Sequence, residues 1–133
     1  VIDYLDIEVS GQGLHAFTGQ VSKAVSRCGQ REGLCTLFIR HTSASLLIQE
    51  NYDDSARLDL ENWLNRLVPE NDPLYTHTLE GPDDMPAHIK SALTATQLSI
   101  PFAAGELLLG TWQGIYLWEH RHHPCRRQIV VHL

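Results

Sequence analysis

From His77 to Lys90 the chain reads His-Thr-Leu-Glu-Gly-Pro-Asp-Asp-Met-Pro-Ala-His-Ile-Lys, with two imidazoles, three carboxylates and an ammonium in fourteen residues. Imidazoles and carboxylates together bind divalent metals or move protons. Gly81-Pro82 is a turn signal. Pro86 suits the first position of a helix, with Asp84 two residues earlier as its expected cap. An exposed helix start carries unpaired N–H groups and positive partial charge, which favour a phosphate or a carboxylate.

A second group of chemically capable side chains is His41-Thr-Ser-Ala-Ser45. The hydroxyls of Thr42, Ser43 and Ser45 could cradle a phosphate, although a polar turn that satisfies its own backbone is the commoner outcome. His41 at a strand end, His77 in a loop and His88 at a helix start could converge on one divalent metal, though none follows a recognised zinc spacing. The His77-x-x-Glu80 step is too common to add weight. Asn51, Asp53 and Asp59 offer oxygen ligands or a general base, against capping and solvation as the plain alternative; Asp54 is read as a cap. His120, His122 and His123 fall in a polar turn and are expected to be exposed and non-ligating. Trp112 and Gln113 could wall a pocket for a ring; otherwise Trp112 and Trp118 are core or subunit-interface residues.

The elements that must position these groups follow from periodicity. Residues 2–9 alternate as a half-buried strand, broken by Gly11 and Gly13. A helix is expected from Thr18 to about Cys28, then strands over 34–40 and 45–49. Ala56, Leu60, Trp63, Leu64 and Leu67 make one apolar stripe on a helix from about Ser55 to Leu67, with Asp53 or Asp54 as cap, Pro69 as stop and Asp59 at the stripe's edge. A long loop over 69–85 leads to a helix from Pro86 to about Thr96. Strands are then expected at about 98–103, 106–112, 113–119 and 127–133, with Ala104-Gly105 as a hairpin turn. The pattern predicts one α+β domain with mainly antiparallel sheet.

The 133 residues, 43% hydrophobic, suffice for one domain with a real core. A net charge of −6 argues against a nucleic-acid partner, and there is no apolar run long enough for a membrane span. Three cysteines without a Cys-x-x-Cys pair, and acids near the first residues in place of a basic leader, point to reduced thiols and a cytoplasmic location. Charge is segregated: residues 50–84 carry ten acids against two arginines, whereas Arg121, Arg126 and Arg127 lie near the C-terminal end. That asymmetry is usually an ordinary solvated surface, and it also suits a site with a cation on one wall and an anion on the other.

His41-Thr-Ser-Ala-Ser45, Gln49-Glu50-Asn51 with Asp53 and Asp59, Glu80 to Lys90, and Leu109-Gly-Thr-Trp-Gln-Gly-Ile115 followed by Glu119 together resemble the YjbQ family, in particular its bacterial branch. The resemblance implies an α+β fold that assembles as a homotrimer, and a weak thiamine phosphate synthase activity. That reaction joins a pyrimidine diphosphate to a thiazole phosphate and releases pyrophosphate. The family's polar positions fall on His41, Thr42, Ser43, Asn51, Asp53, Asp59, His77, His88, Lys90, Gly110, Trp112, Gln113 and Glu119. The expected catalytic set is His41, Asp53, Asp59, His77, His88 and Glu119, with a zinc or magnesium ion on the three histidines. Thr42, Ser43, Ser45, Asn51, Lys90, Trp112, Gln113 and Arg121 are expected on the phosphorylated small-molecule substrate, in a site shared between subunits. The rival expectations are a metal-dependent phosphate-ester hydrolase and a non-catalytic, trimeric ligand-binding module.

Overall fold

The computed structural model describes residues 1–133. The chain runs β1 (Ile2–Val9), β2 (Gly13–Ala16), α1 (Thr18–Arg27), β3 (Glu32–Ile39), β4 (Ala44–Glu50), α2 (Asp54–Leu67), α3 (Asp84–Leu93), β5 (Gln97–Ala103), β6 (Glu106–Leu107), β7 (Gln113–Glu119) and β8 (Cys125–His132). One sheet has the order β1-β8-β3-β5-β6 and the other β2-β7-β4, with every pairing antiparallel. This is the α+β, antiparallel class expected. No helix is long and apolar enough to cross a membrane.

The two sheets face each other across a core that includes Leu37, Ile129 and Val131 from one and Leu46, Ile115 and Leu117 from the other, with α1 adding Val21 and Val25. A smaller core on the opposite face of β7 joins Tyr116 and Trp118 to Leu64 and Val68 of the α2 region. β7 is therefore covered on both faces, which explains its unbroken Ile-Tyr-Leu-Trp run where a half-exposed strand would alternate.

Several sequence expectations are corrected. Gly11 and Gly13 do not simply end a strand, because Gly13 opens the short β2 against Glu119 of β7. The strand expected over 106–112 stops at Leu107. The Gln113 side chain turns back to accept the Gly110 N–H at 2.8 Å, closing a turn instead. The predicted Ala104-Gly105 turn is present, with φ of 53° and 78°. On α2, Asp53 is the cap, accepting the Ser55 N–H at 2.9 Å. The apolar stripe is only half used: Leu64 is buried, but Trp63 and Leu67 stay about half exposed. Helix α3 begins at Asp84, not Pro86, so Asp84 is not the cap. Asp83 precedes the helix, and its carboxylate makes no cap bond.

Candidate functional site

The sandwich ends where β7 runs out, β4 begins and α3 starts, and there the polar residues collect. Because α3 starts at Asp84, Asp84 and His88 stand one turn apart on the same face. Asp84 Oδ2 meets His77 Nε2 at 2.8 Å and His88 Nε2 at 3.1 Å, and Glu80 lies 3.5 Å from His77. The ligand atoms of His77, Glu80, Asp84 and His88 all fall within 4.8 Å of one another. Asp84 itself is buried, whereas the His77 side chain is 52% and that of His88 31% exposed.

The second ring nitrogen of His88 determines what the first can do. Nδ1 lies 3.0 Å from the Thr42 carbonyl, which only accepts, so Nδ1 carries a hydrogen. In a neutral ring, Nε2 then points a lone pair at a carboxylate oxygen. Two acceptors in contact require a proton or a cation between them. An imidazole oriented from behind by a backbone carbonyl, with its other nitrogen left free, is the usual arrangement of a metal-ligating histidine.

Arg121 holds the acidic side in place. Its guanidinium donates to Asp84 Oδ1 at 2.7 Å, Asp83 Oδ2 at 3.0 Å and the Glu80 carbonyl at 2.9 Å, while Asp83 also accepts the His122 N–H at 2.9 Å. Burial pushes the Asp84 carboxyl up, but its contacts with Glu80 and His77 and the charges of His88 and Arg121 hold it below the usual range. Burial likewise opposes the ionised Asp83, and the His122 N–H with Arg121 outweighs it. Two carboxylates and a backbone carbonyl thus share one guanidinium.

The other sequence-selected residues divide into separate places. His41 is not in the cluster: its Nε2 accepts the Gln128 N–H at 2.9 Å, and it shares only a shallow cleft with Thr42 and His88. Burial, then the charge of Arg127, depresses its pKa. The set whose ligand atoms converge is therefore His77, Glu80, Asp84 and His88 in place of His41, His77 and His88. The hydroxyls of 42–45 form no open cradle. Ser43 Oγ accepts from Arg127 at 2.9 Å, and buried Ser45 Oγ pairs with His120 Nε2 at 2.9 Å. Lys90 is buried with Nζ on Asn65 Oδ1 at 2.6 Å, and burial lowers its pKa. Arg121, expected on the anion side, is occupied by Asp83 and Asp84.

Glu119 is wholly buried and bound through both oxygens to Arg127, at 2.6 and 2.5 Å. His120, expected to be exposed, is buried, and burial pushes its pKa down to about 3. Asp59 lines a separate open cleft of about 590 Å³ with Glu50, Trp63 and Arg66. Asn51 packs over Gly114, and exposed Trp112 meets Tyr52 edge-on at 4.8 Å. Residue-type reasoning missed Asp84 and Glu80 as members of the cluster. The signals were the Asp84-x-x-x-His88 spacing, hidden by starting the helix too late, and the discounted His77-x-x-Glu80 step.

The fold and this cluster define a class: an α+β protein of two packed antiparallel sheets with a histidine–carboxylate group at the start of its third helix. The chain belongs to the YjbQ/UPF0047 family, whose model, described as UPF0047 protein YjbQ-like, matches residues 3–133. It is 50% identical over 131 residues to UPF0047 protein sll1880 of Synechocystis, covering 98% of this chain and 89% of that one. With YjbQ of Escherichia coli O157:H7 it shares 41% over 130 residues, covering 97% and 94%. Protein TT1486 of Thermus thermophilus superposes with a TM-score of 0.88 at 35% identity, covering 98% of both chains. A YjbQ/UPF0047 family protein of Clostridium acetobutylicum gives 0.89 at 33%, also over 98% of both.

Proposed function

We propose that this chain is a cytoplasmic enzyme that holds a divalent metal on His77, Glu80, Asp84 and His88 and acts on a phosphorylated small molecule. What carries this is the geometry at Asp84, where two imidazole nitrogens aim at one carboxylate oxygen and one of those rings is oriented from behind by a carbonyl. Zinc–nitrogen bonds near 2.0–2.1 Å place tetrahedral ligands roughly 3.3 Å apart, close to the His77–Asp84 and His88–Asp84 separations of 2.8 and 3.1 Å. Two imidazoles with two carboxylates suit zinc better than magnesium, which prefers oxygen alone. When bound, such an ion supplies Lewis-acid stabilisation of charge on a phosphate oxygen. The chain's own contribution is to fix Asp84 through Arg121 and His88 through Thr42, leaving Glu80 as the more exposed partner. With the carboxylates of Glu80, Asp83 and Asp84 around one guanidinium, the cluster repels phosphate until a cation is in place. Three unpaired cysteines support the reducing compartment.

The first candidate reaction is the thiamine phosphate synthase coupling that the family resemblance implies, in a homotrimer. Exposed Tyr52, Trp63, Leu67 and Trp112, in and around the Asp59 cleft, support a subunit contact there. In the shared-site reading, Asn51, Asp53 and Asp59 would serve a neighbour's cluster across that contact. Sedimentation equilibrium at the monomer mass would remove the shared site. A hydrolase is the second reading, and it has its own support. Lys90 and Arg121 are both engaged within the chain, so a diphosphate leaving group finds no free cation here, and release of a single phosphate demands less.

The deciding experiment compares zinc-loaded and chelator-treated wild type with His88→Ala on the pyrimidine diphosphate and thiazole phosphate together and singly. Metal-dependent coupling that is lost in His88→Ala supports the transferase. Phosphate release from one substrate alone supports the hydrolase. Turnover indifferent to both chelation and His88→Ala refutes the metal enzyme.

A further inference from the structure

Beneath the cluster lies a buried group that touches none of its ligand atoms yet connects to both of its sides. Glu119 Oε2 accepts the backbone N–H of Arg121 at 3.0 Å, the residue whose guanidinium grips Asp84 and the Glu80 carbonyl. The same carboxylate takes two hydrogen bonds from Arg127. Arg127 Nη2 in turn donates to Ser43 Oγ at 2.9 Å and to the Ser43 carbonyl at 3.3 Å. Ser43 adjoins Thr42, whose carbonyl holds His88 Nδ1. One sealed ion pair therefore anchors the support of Asp84 and the support of His88.

We propose that Arg127, locked to Glu119, is a positioning residue that holds the Thr42 carbonyl and with it the Nδ1–H form and aim of His88. The proposal rests on the metal-site reading for its consequence, but its mechanism is visible without metal. The role differs from catalysis by Glu119, since no atom of the pair reaches the cluster. It also differs from plain core stability, because it specifies the tautomer of one half-open ring. Neither residue's place in the chain signals this. Arg127 sits on an alternating strand at a position whose neighbours 129 and 131 are core residues.

The test compares wild type with Arg127→Met, Arg127→Lys and Ser43→Ala in two measurements: cobalt(II) titration, and the imidazole ¹H–¹⁵N spectrum of the metal-free protein. The expected result for Arg127→Met is a cobalt affinity at least about tenfold weaker, as for loss of other outer-shell partners, with His88 spread over both tautomers. Arg127→Lys should recover part of both signals. Ser43→Ala, which leaves the ion pair whole, should shift them less and in the same direction. Wild-type cobalt affinity together with an unchanged Nδ1–H His88 in Arg127→Met overturns the proposal. Where wild type takes up no cobalt, the metal-site reading falls and the tautomer measurement alone decides the positioning role. Where Arg127→Met does not fold, Arg127→Lys and Ser43→Ala decide it by the same measurements.

Discussion

Glu119 and Asp84 are both sealed carboxylates gripped by an arginine, and they differ in what occupies their other side. Around Glu119 every partner is a fixed donor: the Arg127 guanidinium, the Arg121 N–H and the Cys125 thiol at 3.1 Å. Burial pushes its carboxyl up, and these donors, Arg127 foremost, more than reverse the effect. Asp84 has one oxygen on Arg121 and the other on two half-open imidazoles, which can exchange protons or a metal with solvent. A buried carboxylate with irreplaceable donors holds structure, and one with exchangeable partners is available for chemistry.

The contrast is broken most sharply by deleting one arginine. Arg127→Met strands the buried Glu119 charge and should cost about 3–5 kcal/mol in urea unfolding. A loss below about 1 kcal/mol would make the pair as replaceable as a surface one. On the open side, Asp84→Asn should weaken zinc binding by roughly a hundredfold in a competition titration, the upper end for disturbed metal shells, while the metal-free protein stays folded.

Acid should divide the two regions next. His120, with its folded pKa near 3, and His41, also depressed, are neutral in the fold, so the unfolded chain takes up the extra protons. Their contribution is fully present above the unfolded value near 6.5 and is lost as pH falls toward the folded ones, with a slope of up to about 1.4 kcal/mol per pH unit for each. Thermal melts from pH 6.5 to 5 should fall in wild type and flatten in His120→Gln. An identical slope in both would place that proton uptake elsewhere. The smallest effect is expected at the remote α2 start. Asp53→Ala should lower the melting temperature by loss of its cap and leave zinc affinity unchanged, whereas lost turnover with an unchanged melt would restore Asp53 to the chemistry.

The fold was largely legible because its signals are local. Alternation gave β1, runs of strand-forming residues gave β3 and β8, the Ala56–Leu67 stripe gave α2, and Ala104-Gly105 gave its hairpin. The site was legible in its residue types but not in its grouping. Pro86 at a helix start is a sound rule, yet here it sits at the third helical residue because Asp83 and Asp84 are held by Arg121, a contact 37 residues away in sequence that periodicity cannot register. His41 and His120 carry the same side chain as His77 and His88, and only their tertiary contacts separate them. Exposure of Trp63 in an otherwise regular stripe had no sequence signal at all.

β7 lies between Gly13 and Ala44 at its Glu119 end and is covered on both faces. A slip of one residue would exchange Ile115 and Leu117 with Tyr116 and Trp118 between two cores of different size, and would swing Glu119 to the opposite side of the sheet. A chain with this strand out of frame would therefore lack the anchor for both sides of the cluster, so closure of the His77, Glu80, Asp84 and His88 group depends on correct threading of β7.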